Sequence, residues 1–381
     1  MAIVIGKKCQ SYDITNLKEK ISQIFFETGF DKRLQSISSV LLKPNLLGAY
    51  PPDRAITTHP NIAAAVIEIL RDHAITIALM DNPGGTVTQK KVYQQTGMAD
   101  LAARYGIEIK YSLHDGIYHF EKKTKYTINK SFIDAEAIIN LSKMKTHMYT
   151  LFTGAIKNFY GVVPGLAKSN LHRFAPNPTK FAEFVVDIYE LVKEKVVFNL
   201  MDGILGMDGD GPSAGEVKKF DLLLGGENAV AVDYFASKIM GFDPEKIPTT
   251  QIAAEREGMV FEAFNLSGDI DENYRLQECN IQKSKRKNRI LNMLSVPLKG
   301  VIKRFFWTIP YFDEEKCVRC KACVEFCPAK ALSLEKKDPT PQLDPQKCIL
   351  CMCCIEICPE QAVSLKKSFL GKMLIKEHDT T

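Results

Sequence analysis

The chain has 381 residues, 45% of them hydrophobic and 25% charged, which excludes disordered and fibrous classes and leaves room for two or three domains with real cores. Its 50 Lys and Arg against 45 Asp and Glu give a net charge of +5, too mild to mark a nucleic-acid-binding surface. Eleven cysteines are too few for a disulfide-dense scaffold, but nine of them crowd between Cys317 and Cys358, so the C-terminal end holds something that needs sulfur.

The opening residues lack the succession of basic, apolar and small residues that makes a signal peptide. No run of about 18 apolar residues is present. The expectation is a cytoplasmic protein without a transmembrane span, whose thiols stay reduced and free to bind metal. Over residues 1–282, strand-like and helix-like segments alternate. Residues 2–5 form a short apolar run, and Leu17, Ile21, Ile24 and Phe25 repeat at helical spacing. Residues 40–42 read as a strand that ends at Lys43-Pro44-Asn45. Pro60 opens a helix to residue 70, because proline is tolerated in the first helical turn. Residues 75–79 read as a buried strand stopping at Met80-Asp81-Asn82-Pro83-Gly84-Gly85, and 137–141 and 196–201 as further strands. Residues 222–224 lead into Gly225-Gly226 and a helix over 229–240. Strands separated by helices predict an α/β domain with an open, mostly parallel sheet. Ligands of such sheets bind beyond the carboxyl ends of the strands, so these polar and glycine-rich turns are where a site is expected.

Residues 283–310 change character. Lys283, Lys285, Arg286, Lys287 and Arg289 precede an apolar stretch broken by Lys299, Lys303 and Arg304. This reads as a basic amphipathic linker that lies on the first domain or makes peripheral contact with a membrane surface or an acidic partner. A cysteine-rich domain over 311–367 and a tail over 368–381 follow.

That domain holds two runs of one pattern: Cys317-x2-Cys320-x2-Cys323-x3-Cys327-Pro328 and Cys348-x2-Cys351-x2-Cys354-x3-Cys358-Pro359. Aligned at a period of 31, residues 316–334 and 347–365 share 10 of 19 positions, Glu325 and Glu356 among them. Zinc sites use pairs of Cys-x2-Cys rather than triplets followed by Cys-Pro, and soft thiolates converging on a compact cube suit an iron–sulfur cluster. The pattern resembles the bacterial two-cluster ferredoxin, a small α+β fold. That resemblance implies two [4Fe–4S] clusters in which the fourth cysteine of each run serves the other cluster. One set is then Cys317, Cys320, Cys323 and Cys358, and the other Cys348, Cys351, Cys354 and Cys327. Cys353 stands where the first run has Ala322 and reads as a packed residue, as do the isolated Cys9 and Cys279.

In the first domain, several phrases carry a second resemblance: Leu42-Lys43-Pro44-Asn45, Thr57-Thr58-His59-Pro60, Ser142-Lys143-Met144-Lys145-Thr146-His147, Gly154-Ala155-Ile156-Lys157-Asn158, Gly161, Met201-Asp202-Gly203 and Gly209-Asp210-Gly211-Pro212. From about residue 40 to 250 the chain resembles the uncharacterised family known as domain of unknown function 362, which is often fused to a ferredoxin module. The resemblance implies a domain rather than a reaction.

Chemically, Lys43, Asn45, Lys145, His147, Lys157 and Asn158 read as a cationic, donor-rich pocket for a carboxylate or phosphate. Lys145 and His147 are the catalytic candidates, His147 as a proton donor. Asp202, Asp208 and Asp210 read as an acidic turn, with hard-cation binding the sharper alternative. Residues 165–169 end like a phosphate-binding loop, but the spacing fails. Two functions follow. One is an electron-transfer protein serving a redox partner protein or its own α/β domain. The other is a ferredoxin-fed reductase with a substrate or cofactor held in the pocket, a small anionic molecule among the candidates. A cluster carrier or redox sensor is a weaker third. No nucleic-acid motif appears.

Overall fold

The computed structural model describes residues 2–85, 87–165, 167–175, 177–277, 279–281 and 308–367. Most of the basic linker and the whole tail lie outside the described residues. In the first domain the strands run, in chain order, β1 (Ala2–Lys8), β2 (Ser39–Pro44), β3 (Thr76–Leu79), β4 (Glu108–Ile109), β5 (Ile117–Glu121), β6 (Lys125–Asn129), β7 (Ala137–His147), β8 (Leu151–Thr153), β9 (Val196–Asp208), β10 (Glu216–Gly226) and β11 (Phe264–Gly268). Their main sheet has the order β11-β1-β10-β9-β7-β2-β3-β4, with β8 beside β7. The pairs β9·β7, β7·β2, β2·β3, β3·β4 and β1·β11 are parallel. Those made by β10 and β8 are antiparallel. The expected open, mostly parallel sheet is present.

The helices form for local reasons. Asp13 caps helix Ile14–Thr28 by accepting the Asn16 amide, and Gly29 closes it at φ 77°. Pro60 begins helix Pro60–Asp72, whose inner face is Ile62, Ala63, Val66, Ile67 and Leu70. These two helices cover one face of the sheet. Helices Pro178–Val192 and Ala229–Ile239 cover the other. Successive strand residues point to opposite faces, so Ile138 enters one core and Ile139 the other.

Two strands run further than expected. β7 continues past residue 141 through Ser142-Lys143-Met144-Lys145-Thr146-His147, every residue buried, and β9 continues from 201 to Asp208. Lysines normally end a buried strand. Here distant segments supply their partners, as described below.

The cysteine-rich domain is small. Strands β12 (Thr308–Phe312) and β15 (Val363–Lys367) pair antiparallel, as do β13 (Leu332–Ser333) and β14 (Gln342–Leu343). Two one-turn helices, Ala322–Glu325 and Cys353–Glu356, occupy equivalent places in the two repeats. The domain docks on the α/β domain: Phe326, Met352, Ile355 and Ile357 share one apolar cluster with Met148, Tyr149 and Phe181. Ser213 Oγ donates to the Glu356 carbonyl, and Gln361 Nε2 donates to the Ser213 carbonyl, both at 2.9 Å. Among the described residues no helix is long and apolar enough to cross a membrane.

Candidate functional site

The order of the sheet reverses at β2. β3 and β4 lie on one side of it, and β7, which follows them in the chain, lies on the other. A crevice opens outside the carboxyl ends of strands at such a point. Here it is a cleft with about 680 Å³ of empty space, counting its mouth. Asn45 and Leu46 after β2, Asp81, Asn82 and Gly84 after β3, and Lys145 on β7 form one wall. Phe326, Glu356 and Ile357 of the cysteine-rich domain form the other. Gly85 (φ 80°) lets the two domains approach: a Cβ there would lie 2.3 Å from Ile357 Cδ1.

The structure separates the lysines that the sequence grouped. Lys43 does not line the cleft. Its Nζ lies 2.6 Å from Asp81 Oδ1, with both side chains buried, and Asp81 also accepts the Leu46 amide. Gly161 is required there, since a Cβ would fall 2.0 Å from Asp81 Oδ1. Lys143 pairs with Asp202 at 2.7 Å, and Tyr12 Oη and the His59 amide also donate to that carboxylate. Asp202 is therefore an internal counter-charge. Asp208 accepts the Asn280 amide.

Lys145, Lys157, Asn45 and Asn158 do line the cleft. Lys145 Nζ donates to Asn45 Oδ1 (2.9 Å) and to the Ile56 carbonyl (2.5 Å), both uncharged acceptors. Asn45 Nδ2 donates to Asn158 Oδ1, and Asn158 Nδ2 to Asn140 Oδ1. Among the described residues Lys157 Nζ meets only the ring faces of Tyr160 and Phe181, each at 6.0 Å. Burial, then the charges of Lys157 and Lys143, pushes the Lys145 ammonium well down. Burial also lowers Lys157, opposed by Glu356.

His147 sits behind the cleft lining rather than in it. Its Nδ1 accepts the Tyr149 and Thr150 amides, which holds the turn after β7 and leaves the ring proton on Nε2. Nε2 lies 3.3 Å from Glu356 Oε1. Burial and the nearby lysines push its pKa well down, so the ring is neutral.

Several cleft residues were not placed in the pocket by the sequence, among them Lys168, His172, Thr153 and Glu356. Lys168 and His172 sit four apart on helix Ala167–Phe174, and Lys168 Nζ donates to the Asn82 carbonyl. Their i,i+4 spacing was the available signal. Thr153 comes from β8. Glu356 comes from the second cysteine run, where the repeat marked it. Burial raises Glu356, opposed by Lys157 and Lys145.

The cysteines frame two voids. One, with about 360 Å³ of empty space counting open solvent, is lined by Cys317, Cys320, Cys323 and Cys358, and one with about 350 Å³ on the same count by Cys327, Cys348, Cys351 and Cys354. Each wall thus takes three cysteines from one run and the fourth from the other. Burial, then the charges of Cys358, Cys320 and Cys317, pushes the Cys323 thiol up to about 12. Cys323 would hold iron as the thiolate, its proton lost on binding. None of the eleven cysteines is in a disulfide, and among the described residues no three His, Cys, Asp or Glu side chains close on a single ion. Cys353, buried, lines the second void without being one of its four motif cysteines.

Fold and site together define a class: an α/β domain docked to a ferredoxin-type iron–sulfur module. The chain belongs to the family described as Domain of unknown function (DUF362), which matches residues 40–238. Residues 316–362 match the 4Fe-4S dicluster domain, so the module is a [4Fe–4S] electron-transfer domain. A similar curated protein is the Thylakoid-associated protein sll1697 of Synechocystis, 28% identical over 256 residues, covering 66% of this chain and 78% of that protein. Solved structures with some likeness include the lactate racemase apoprotein from Thermoanaerobacterium thermosaccharolyticum (TM-score 0.38, 13% identity, 60% of this chain) and a protein from Thermotoga maritima (TM-score 0.36, 12% identity, 68% of this chain). The chain spans 55% and 61% of their lengths.

Proposed function

We propose that the protein carries two [4Fe–4S] clusters and passes single electrons from a redox partner protein to a small anionic molecule held in the interdomain cleft. Cys317, Cys320, Cys323 and Cys358 hold one cluster, and Cys348, Cys351, Cys354 and Cys327 the other. The clusters supply one-electron chemistry when bound. The observation that carries the proposal is the pair of voids, each framed by three cysteines of one run and the fourth of the other. The reductase reading is favoured over a bare shuttle by the cleft. Its Phe326, Glu356 and Ile357 each lie beside or between cluster cysteines, while Lys145, Lys157, Asn45 and Asn158 face them from the α/β domain. Reduced thiols and iron–sulfur clusters suit a cytoplasmic setting.

The test is anaerobic purification, iron and sulfide analysis, and redox titration by electron paramagnetic resonance. The proposal expects about eight iron atoms per chain and two one-electron transitions. Zinc in place of iron, or about four iron atoms, overturns the two-cluster assignment.

A further inference from the structure

Once the internal ion pairs are set aside, the cleft is left with more positive than negative charge. Lys43 is neutralised by Asp81, which also lines the cleft. The ammonium groups of Lys145, Lys157 and Lys168 also belong to its lining, and the remaining carboxylate there is Glu356. Lys145 and Lys168 bond only uncharged oxygens among the described residues. Burial disfavours the protonated form of all three, Lys168 falling to about 7, so their ammonium forms are held best when an anion sits in the cleft.

The polar groups of the lining are also incomplete. Thr153 Oγ1 and His172 Nδ1 make no hydrogen bond among the described residues, although their residues are only 3% and 4% exposed. Glu356 Oε1 is likewise without one. Burial pushes His172 down to about 3, so it is neutral. Buried polar atoms are normally satisfied, and these belong to residues that line the cleft. Glu356 Oε1 has the His147 Nε2–H 3.3 Å away, and the carboxyl has room for a further donor, which a ligand hydroxyl or amino group supplies. Leu46, Leu47, Phe326 and Ile357 add apolar wall, which a carbon skeleton covers and a bare inorganic ion does not.

We propose that the cleft binds a small organic carboxylate bearing a hydroxyl or amino group. Its carboxylate meets the Lys145 and Lys157 ammonium groups, and its donor meets Glu356, with Thr153 and His172 completing the contacts. This deepens the reading of the cleft as the point of electron delivery and rests on that reading for the ligand's fate, not for its binding.

The experiment uses anaerobically purified, cluster-loaded protein titrated calorimetrically with glycolate, acetate and inorganic phosphate. Iron content and the paramagnetic spectrum are recorded on the same samples. Glycolate is expected to bind at least about tenfold more tightly than acetate, which lacks the donor, and than phosphate, which lacks the carbon body. Lys157→Met is expected to weaken glycolate binding at least about tenfold, and Thr153→Val several-fold, with iron content and spectrum unchanged. Three results overturn the inference: no binding of any of the three at 10 mM-scale concentrations (roughly the limit of a specific site), phosphate binding alone, or glycolate binding that survives Lys157→Met. Binding as expected in protein that lacks about eight iron atoms leaves the inference standing and refutes the two-cluster reading instead.

Discussion

Two buried lysines should respond to the same substitution with opposite signs. Lys143 Nζ lies 2.7 Å from Asp202 Oδ2, and both side chains are 0% exposed. Replacing Lys143 with Met leaves Asp202 with the Tyr12 hydroxyl and two amide donors, from His59 and Ile204, but no counter-charge. Breaking a buried pair in this way costs about 3–5 kcal/mol. Lys157 makes no ion pair among the described residues, and feels Glu356 only as a more distant opposite charge. Its ring contacts at 6.0 Å are worth at most about 0.5–1 kcal/mol. Lys157→Met keeps the apolar stem and removes an ammonium that burial disfavours. The expected change runs from about zero to a gain of 1–2 kcal/mol, the size usual when a functional residue is replaced by a structurally better one. At about 2–4 °C per kcal/mol for a domain of this scale, Lys143→Met lowers the unfolding midpoint by roughly 10 °C, while Lys157→Met leaves or raises it. The assay is anaerobic thermal unfolding by circular dichroism, at matched iron content, one scan rate and no added carboxylate. If Lys143→Met loses nothing, or Lys157→Met loses several kcal/mol, the division into paired structural and unpaired ligand-facing lysines is wrong.

Cysteine variants should sort in crossed pairs: Cys327→Ser and Cys348→Ser leave one residual paramagnetic spectrum, Cys317→Ser and Cys358→Ser the other, each with about half the iron. Pairing within a run would refute the crossed sets. Gly85→Val places a Cβ against Ile357 at a φ of 80°, a strain of about 1–3 kcal/mol. Limited proteolysis between the domains should accelerate while iron content holds. Asp233 accepts the Ala155 and Ile156 amides, yet burial raises its pKa to about 7. The folded state then binds more protons than the unfolded state between about pH 4 and 7, so stability falls as pH rises through that window. Asp233→Asn should flatten that slope in chemical denaturation followed across pH.

Much of this was legible in the sequence. Cysteine spacing marks the module because a cube of metal and sulfur constrains its ligands locally. The turn Asp81-Asn82-Pro83-Gly84-Gly85 marks a strand end, and that end does border the cleft. What could not be read was which lysine has a partner. Lys43, Lys143, Lys145 and Lys157 look alike in the chain. Their fates depend on Asp81, Asp202, Ile56 and Glu356, which are 38, 59, 89 and 199 positions away respectively. The same long-range pairing carries β7 through residues 142–147, where local charge argues for a strand end.

The repeat shows the same limit in its purest form. Glu325 and Glu356 occupy equivalent positions, as do Phe326 and Ile357. The second pair keeps its symmetry on docking: both side chains would lie 3.9 Å from a Cβ at Gly84. The glutamates do not. Glu356, 12% exposed, faces His147 and lines the cleft, whereas Glu325 does not line it. A two-fold module set against an asymmetric surface thus gives two identical residues different work. Glu325→Gln should change stability by no more than about 0.5 kcal/mol. Glu356→Gln removes the cleft's remaining carboxylate and leaves Lys145 and Lys157 facing no charge, which should cost about 1–3 kcal/mol. Paired thermal unfolding of the two cluster-loaded variants measures the difference, and equal effects would mean that the docked face, not the sequence repeat, has been misread.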